Sequence, residues 1–515
     1  MTEINPNSIS GITSITLPSG DGNVLTIHTN DGTERFRIDS SGNVKVGSAC
    51  TISPDGDVFF TGVTTATTFT GAHSGSGANL TSLPAAQLTG TLPAISGANL
   101  TGIAATDNVR TGILDVAGVS TFRNTMNVGA AVTISESGIE ASGIGITCAN
   151  INGTQIGGRR NLIINGAMIV AQRGTSSSDG NGYYTVDRMK FRSGGNDETN
   201  TVSQITLNNT DTGPYQKGFR YAYRIQNGNQ TGGAGTSDWS QLEYHPEAQD
   251  LANSGWDYTN SNSFITLSFW IRSSVGQRFY GYMDTKDGTT QRYSFAMDGG
   301  SALSANTWRF VSIAIPGNSN LQFDNNTDDG LEIKMVTFYG TDYTDNSYTM
   351  NNWAATGSNY MPDYDSTWYT TNDATWDITG LQLEVGSQAT AFEHRSFGEE
   401  ERLCQRYYFR QTADHQYMRY ACHGQTPSAN GAQYVYQLPV RMRATPTLGY
   451  SQLSDFYMYA GNLQSKTPTS LAMDANSTIS PMFVGAKSST FTAGQMAHLT
   501  TPNSEQGYLE FIADL

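Results

Sequence analysis

The chain is poor in charge: only 14% of its 515 residues are Asp, Glu, Lys or Arg. It is poor in strong helix formers, while Gly (55 residues), Ser, Thr and Asn abound. That mixture disfavours long helices and suits many short strands joined by turns. No run of about 18 apolar residues occurs, which excludes a membrane-spanning helix. Lys and Arg number 29 against 45 acids, a formal charge of −16. Such a balance argues against nucleic acid and against electrostatic docking on an anionic membrane, both of which need clustered cations. Cys50, Cys148, Cys404 and Cys422 are the only cysteines. None has a C-x-x-C or zinc spacing, and idle thiols are expected; a Cys404–Cys422 disulfide is left open by spacing alone. The opening Met1-Thr2-Glu3-Ile4-Asn5-Pro6 lacks the basic and apolar regions of a signal peptide, so synthesis in a cytoplasm without that export route is expected.

What is present changes near residue 157. Residues 1–157 hold no Trp or Tyr and only five aromatics, Phe36, Phe59, Phe60, Phe69 and Phe122. A segment of this kind cannot build a thick core alone, but it can be ordered by stacking as repeats or by winding with identical chains. Val24 to Thr29, Arg35 to Asp39 and Val44 to Gly47 read as strands. Asn30-Asp31-Gly32, Ser40-Ser41-Gly42-Asn43 and Ser53-Pro54-Asp55-Gly56 read as the turns between and after them. Gly77-Ala78-Asn79-Leu80-Thr81 recurs as Gly97-Ala98-Asn99-Leu100-Thr101, and Ser82-Leu83-Pro84-Ala85 is echoed by Thr91-Leu92-Pro93-Ala94. The periodic Leu and Ile favour an extended fibrous segment over a plain linker. Four segments are expected: hairpin repeats over 1–60, a fibrous shaft over 61–158, a sandwich over 159–396 and a smaller β-domain over 397–515.

Residues 159–396 carry strands with turn signals every ~8–12 residues, as in a sandwich or jelly roll. Ser263 to Arg272 alternates most clearly, followed by Gln277 to Met283, Arg292 to Met297, Trp308 to Ile315 and Leu331 to Tyr339. The remaining residues begin with one predicted helix, Glu399 to Tyr408, and continue as strands such as Gln433 to Val440 and Gly507 to Ala513.

Several of these blocks are familiar. Glu34-Arg35-Phe36-Arg37-Ile38-Asp39-Ser40-Ser41-Gly42-Asn43-Val44 resembles a hairpin repeat of bacteriophage tail fibres, notably those of marine phages. Thr68-Phe69-Thr70-Gly71 and the Gly-Ala-Asn-Leu-Thr blocks are similar to cyanobacterial phage fibre shafts. Asn161-Leu162-Ile163-Ile164-Asn165-Gly166-Ala167-Met168 through Gly174, with Tyr184-Thr185-Val186-Asp187-Arg188, resembles the opening of the jelly-roll tip domain of such fibres. Ile378 to Gly386 with Phe392-Glu393, and then Glu400 to Tyr408, resembles its close. The resemblance implies an elongated, all-β homotrimer. It implies a virion-proximal N-terminal end joined to other virion tail proteins, and tip domains that adhere to host surface polysaccharide or lipopolysaccharide. It implies no shared catalytic set and no cofactor.

The predicted ligand segment is 340–372. Its rings Tyr343, Tyr348, Trp353, Tyr360, Tyr364, Trp368 and Tyr369 alternate with Asp342, Asp345, Asn351, Asn352, Asp363, Asp365 and Asn372. Sugars offer apolar C–H faces and hydroxyl edges, which rings and carboxylates or amides suit. Trp353, Tyr360, Asp363, Tyr364, Asp365, Trp368 and Tyr369 are the candidate binding set; the alternative is that the rings pack an interface or cover the sandwich. Trp239 to Tyr258 is a weaker candidate. Asp324 to Gly330 is oxygen-rich but lacks a full calcium loop, so an acidic turn and no metal is expected. No H-E-x-x-H, G-x-S-x-G or P-loop occurs, and no enzyme is expected, although paired carboxylates of a polysaccharide depolymerase leave no sequence signature.

Overall fold

The computed structural model describes residues 24–70 save 66 and 69, three strands between 126 and 141, and residues 159–515 apart from 179, 462–463, 476, 487–490 and 503–504. The near-repeat of 71–105, the strands expected at 112–116 and 144–147, and Cys148 lie outside the described residues. The described chain is all-β apart from short helices, and every strand pair is antiparallel. None of its helices is long and apolar enough to cross a membrane.

The N-terminal unit is a five-stranded meander: Leu25–His28, Glu34–Ile38, Val44–Val46, Cys50–Ile52 and Val58–Phe60. Three of its turns share one hydrogen-bond pattern. Gly32, Gly42 and Gly56 donate to the carbonyls of Thr29, Asp39 and Ser53, and those three residues in turn donate to Thr33, Asn43 and Asp57. Each glycine has φ between +79° and +93°, the left-handed region that closes a turn with a bulge. Asp39 Oδ1 also accepts from the N–H groups of Ser41 (3.1 Å) and Asn43 (3.0 Å). The sheet leaves Ile27, Val46, Val58, Phe59 and Phe60 about half exposed.

In the second unit, Val170 to Val385 is dominated by two six-stranded sheets. One runs Lys190–Gly194, Trp239–Tyr244, Leu331–Tyr339, Tyr280–Thr285, Gln291–Ala296, Trp353–Ala355 in spatial order. The other runs Arg309–Pro316, Phe264–Ser273, Thr375–Val385, Tyr221–Gln226, Thr201–Thr206, Ser176–Ser177. One apolar core, including Phe191, Phe269, Met283, Phe295, Ile333 and Trp376, lies between them. This is the sandwich that the alternation predicts.

The stretch before the first strand is a buried polar clamp. Asn161 Nδ2 donates to Leu381 O (3.2 Å), and its Oδ1 accepts from the N–H groups of Ile163 (2.9 Å) and Leu383 (3.1 Å). Asn165, left-handed at φ 62°, donates through Nδ2 to Val170 O (2.8 Å) and Asp187 O (2.9 Å). Gly166 passes so close to the sandwich that a Cβ there would stand 2.0 Å from Leu381 O.

The helix is Phe397–Gln405, two residues earlier at its start than predicted. Ser396 sets that start: its Oγ accepts from Glu399 N–H while the Glu399 carboxylate accepts from Ser396 N–H (2.9 Å), a capping box. Tyr408 already begins a strand. Beyond it lie a three-stranded sheet (Tyr408–Thr412, Tyr508–Ile512, Thr447–Tyr450) and a seven-stranded one, sharing a core of Tyr434, Phe456, Met458, Phe483 and Phe511. Cys404 is a buried free thiol and forms no disulfide.

The sandwich and this C-terminal part meet along a polar seam. The Arg188 guanidinium is fully buried, 3.5 Å from the Tyr407 ring centroid and 5.2 Å from that of Tyr244. Glu247 accepts from Arg406 Nε (2.7 Å), Arg406 Nη2 (2.8 Å) and Tyr407 Oη (2.6 Å). Arg443 donates to Thr327 O (3.0 Å), so the acidic turn 324–330 serves as a joint. Beside it, the His245 ring places Nδ1 3.1 Å from Asp329 Oδ2 and Nε2 3.2 Å from Glu243 Oε2. Burial alone would push the imidazole pKa down; the two carboxylates outweigh that and hold it above its ordinary value.

Two outcomes follow from these contacts. Gly166→Ala must displace backbone, and is expected to cost about 3 kcal/mol or more, read as a melting temperature lowered by about 6–12 °C. A folded-state His245 pKa above the unfolded value means its stabilisation is complete below about pH 6.5 and is lost as pH rises through the folded pKa. Denaturant unfolding between pH 5.5 and 8.5 should therefore lose stability toward the alkaline end, with that component absent in His245→Gln.

Candidate functional site

Residues 340–352 and 356–366 flank the edge strand Trp353–Ala355 and bring Tyr343, Met350, Tyr360 and Tyr364 over the outer face of the sheet that contains Tyr280–Thr285. Trp368 and Tyr369 have no exposed surface. Trp368 Nε1 donates to Thr375 O (3.1 Å), and Tyr369 stacks on Phe338 at 4.2 Å. Trp353 is buried, donating from Nε1 to Pro316 O (2.7 Å) beside Tyr293. The Tyr364 hydroxyl accepts from Tyr280 N–H (2.8 Å) and lies 3.0 Å from the carbonyls of Tyr280 and Val336. Tyr360 is half-buried under the Arg292 guanidinium, 3.8 Å from its ring centroid. Asp363 accepts from Thr344 Oγ1 and Asn346 Nδ2, both at 2.7 Å, stapling the loop to itself, while Asp365 is exposed. Trp353, Trp368 and Tyr369 are thus packed inside the chain, as in the alternative in which these rings cover the sandwich, while Asp363 and Asp365 stay exposed. Tyr343, Tyr360 and Tyr364 cover a sheet face that carries Tyr282, Val336 and Tyr339, while Trp353, Trp368 and Tyr369 belong to the core between the two sheets. Tyr244 and Trp256 of the weaker candidate are likewise core residues.

The charged groups of that same face neutralise one another. Arg292 binds Asp284 through two hydrogen bonds, 2.7 and 2.8 Å. Glu332 pairs with Lys334 (2.7 Å) and Lys286 (3.1 Å). Burial opposes its ionisation, but the two lysines and His245 hold its carboxyl at about 2, which suits an ion-pair partner and not a general acid. His245, Asp329 and Glu332 bring ligand-type atoms within 4.8 Å of one another. Both His245 nitrogens and Glu332 already have protein partners, so the group is an ion-pair network with no vacant ligand atom on its histidine.

An open aromatic groove exists on the opposite sheet. Along Phe264–Ser273, Ile265, Leu267, Phe269 and Ile271 point inward, which turns Trp270 outward. In the neighbouring strand Arg309–Pro316, Val311 and Ile315 point inward and Phe310 outward, 47% exposed. The two are cross-strand partners with ring centroids 5.4 Å apart. On the other side, Thr375–Val385 carries an extra residue opposite Ser268–Trp270, a bulge at Gly380–Leu381. Gly380 sits at φ 66°, and a Cβ there would be 2.7 Å from the Phe219 ring, so only glycine keeps the floor flat.

The result is a cavity of about 480 Å³. Its apolar floor is Trp270, Phe310 and Phe392, and its rim carries Lys217, Thr390 and His394. Phe392 packs edge-on against Phe219 and His394 at 4.8 and 4.9 Å, His394 lies tilted on Phe219 at 5.0 Å, and a His394 ring nitrogen bonds Lys217 O at 2.9 Å, which stiffens that wall. Flat rings with a polar rim suit a ligand that has apolar faces and hydroxyl edges. The sequence reading missed this groove. Its signal was present as phase: one Trp and one Phe out of step with the inward residues of their own strands.

No family model and no curated protein matches the chain. Among solved structures it is similar to a "Family 16 Carbohydrate Binding Module-2", at 9% identity and TM-score 0.18, over 35% of this chain and 84% of that one. It is also similar to TmCBM61 in complex with β-1,4-galactotriose (8%, TM-score 0.21, 44% and 99%). A third is the N-terminal cellulose-binding domain of Cellulomonas fimi β-1,4-glucanase C (11%, TM-score 0.20, 43% and 99%). Scores this low decide neither fold nor ligand for this chain, whose fold rests on its own strand pairing.

Proposed function

We propose that this chain is a receptor-binding tail-fibre protein of bacteriophage type, in which the sandwich adheres to a host cell-surface polysaccharide or lipopolysaccharide. The observation that carries the glycan part is the outward Trp270–Phe310 pair in a groove with a polar rim. A sugar ring lying on these faces would bury C–H groups on the rings while its hydroxyls reach Lys217, Thr390 and His394. The virion part rests on the resemblance of the hairpin and tip-domain motifs. The homotrimer is supported by the half-exposed Ile27, Val46, Phe59 and Phe60 of the N-terminal sheet, apolar surface that identical chains would bury. Three tips on one fibre would give firm adhesion from weak single sites. Other virion tail proteins would take the N-terminal end.

A second reading, a structural virion fibre with no glycan ligand, is favoured by the burial of Trp353, Trp368 and Tyr369 inside the chain. Binding of the full chain to host cells and to their purified polysaccharide separates the two. Trp270→Ala with Phe310→Ala is expected to weaken polysaccharide binding about tenfold or more, since each stacked ring contributes ~1 kcal/mol beyond its buried area. Binding unchanged in a folded double variant would remove the groove from the account; no binding by the parent would favour the structural fibre. Release of reducing ends in the same assay would instead identify a depolymerase. Light scattering should give three times the mass of one chain, and a monomer at micromolar concentration would overturn the trimer.

A further inference from the structure

A second cleft, of about 410 Å³, opens where the sandwich meets the C-terminal sheets. Its lining is polar where the groove's floor is aromatic. The Arg173 guanidinium lies 3.4 Å from the Tyr408 ring centroid and pairs with Asp514. The Arg410 guanidinium lies 3.7 Å from the Tyr508 ring centroid, with Nη2 3.3 Å from Glu510 Oε2. Two stacked guanidinium–carboxylate pairs thus stand in one cleft, walled by the Tyr183 ring. Three polar atoms of this group, Arg173 Nη1, Arg410 Nε and Asp514 Oδ1, are buried without a hydrogen-bond partner. Buried donors and acceptors are costly when unpaired, and most find a partner in protein or in bound water. Three on adjacent side chains of one cleft mark a place built to receive a polar guest.

From this arrangement we infer that the seam cleft is a second carbohydrate site, one that takes the vicinal hydroxyls of a neutral sugar ring. A vicinal diol donates to a carboxylate and accepts from a guanidinium at once, which is the pattern these pairs present. The cations and carboxylates balance, so an acidic sugar gains no net attraction. The cleft volume lies in the range of small-ligand sites, roughly 300–1,000 Å³. Because its walls come from the sandwich (Arg173, Tyr183) and from the last strands (Arg410, Glu510, Asp514), ligand there would also tighten their contact. The inference rests on the glycan-binding reading and adds a site to it that does not use Trp270.

Saturation-transfer NMR on the full chain with the methyl glycosides of glucose, galactose and mannose tests it. Arg410→Lys keeps the charge and loses the planar fork. Ser176→Trp fills the cleft from an exposed position on its lip. At least one glycoside should receive saturation from the parent and from Trp270→Ala. In the Trp270→Ala background, where the groove no longer contributes, transfer should fall about tenfold on adding either cleft substitution, the scale expected for losing a charge-assisted hydrogen bond. Should Arg410→Lys fail to fold by circular dichroism, Ser176→Trp alone decides. Transfer that survives both cleft variants but vanishes in Trp270→Ala overturns the second site and leaves the groove standing. Absence of transfer to all three glycosides overturns the second site as well, while polysaccharide binding by the groove is read separately.

Discussion

The second unit depends on burying the two ends of one segment, Asn161 to Val170 and Thr185 to Arg188, with side chains standing in for missing backbone partners. Asn161 and Asn165 act as side-chain substitutes for backbone, accepting and donating where no ladder reaches. Left-handed Asn165, Met168 and Arg188 fold the segment tightly enough to fit between sandwich and helix. Arg188 is then trapped between Tyr244 and Tyr407 and donates to His245 O. A buried cation of this kind is costly alone and tolerable only against ring faces and carbonyls. It ties the sandwich to the start of the C-terminal part, and the Glu247 contacts with Arg406 and Tyr407 complete the tie.

That seam bears on function in two ways. It fixes one edge of the sandwich, so the groove on the Trp270 face is carried by a scaffold whose other faces are already covered. It also creates the cleft lined by Arg173 and Arg410, a cavity neither part has alone. The two sites differ in chemistry. The groove offers ring faces and a sparse polar rim, while the cleft offers paired donors and acceptors. A polymer with repeating rings could use the first through stacking and the second through hydroxyl edges.

Much of the fold was legible in the sequence. Period-two alternation marked Phe264–Ser273 and Leu331–Tyr339 as strands, because a half-buried sheet demands it. The Gly32, Gly42 and Gly56 turns were legible because a left-handed residue closing a turn selects glycine. The helix is visible in the sequence, and it starts two residues before the apolar spacing predicts because the Ser396–Glu399 capping box sets its first turn. The open aromatic groove was not legible by composition. Aromatic density picked out 340–372, but a loop that caps a sheet and a loop that holds a sugar have the same residues.

By itself, then, the sequence determined the all-β class, the turn positions, the low positive charge and the change of character near residue 157. These follow from local propensity and from composition, which act within a few residues. Tertiary structure alone decided which aromatics face outward, because exposure depends on what packs on each sheet face. It hid Trp368 and Tyr369 behind Phe338 and Phe279 and left Trp270 and Phe310 open. It also set Arg173 beside Arg410, residues 237 positions apart in the chain, since only the packing of the last strands on the sandwich brings them together.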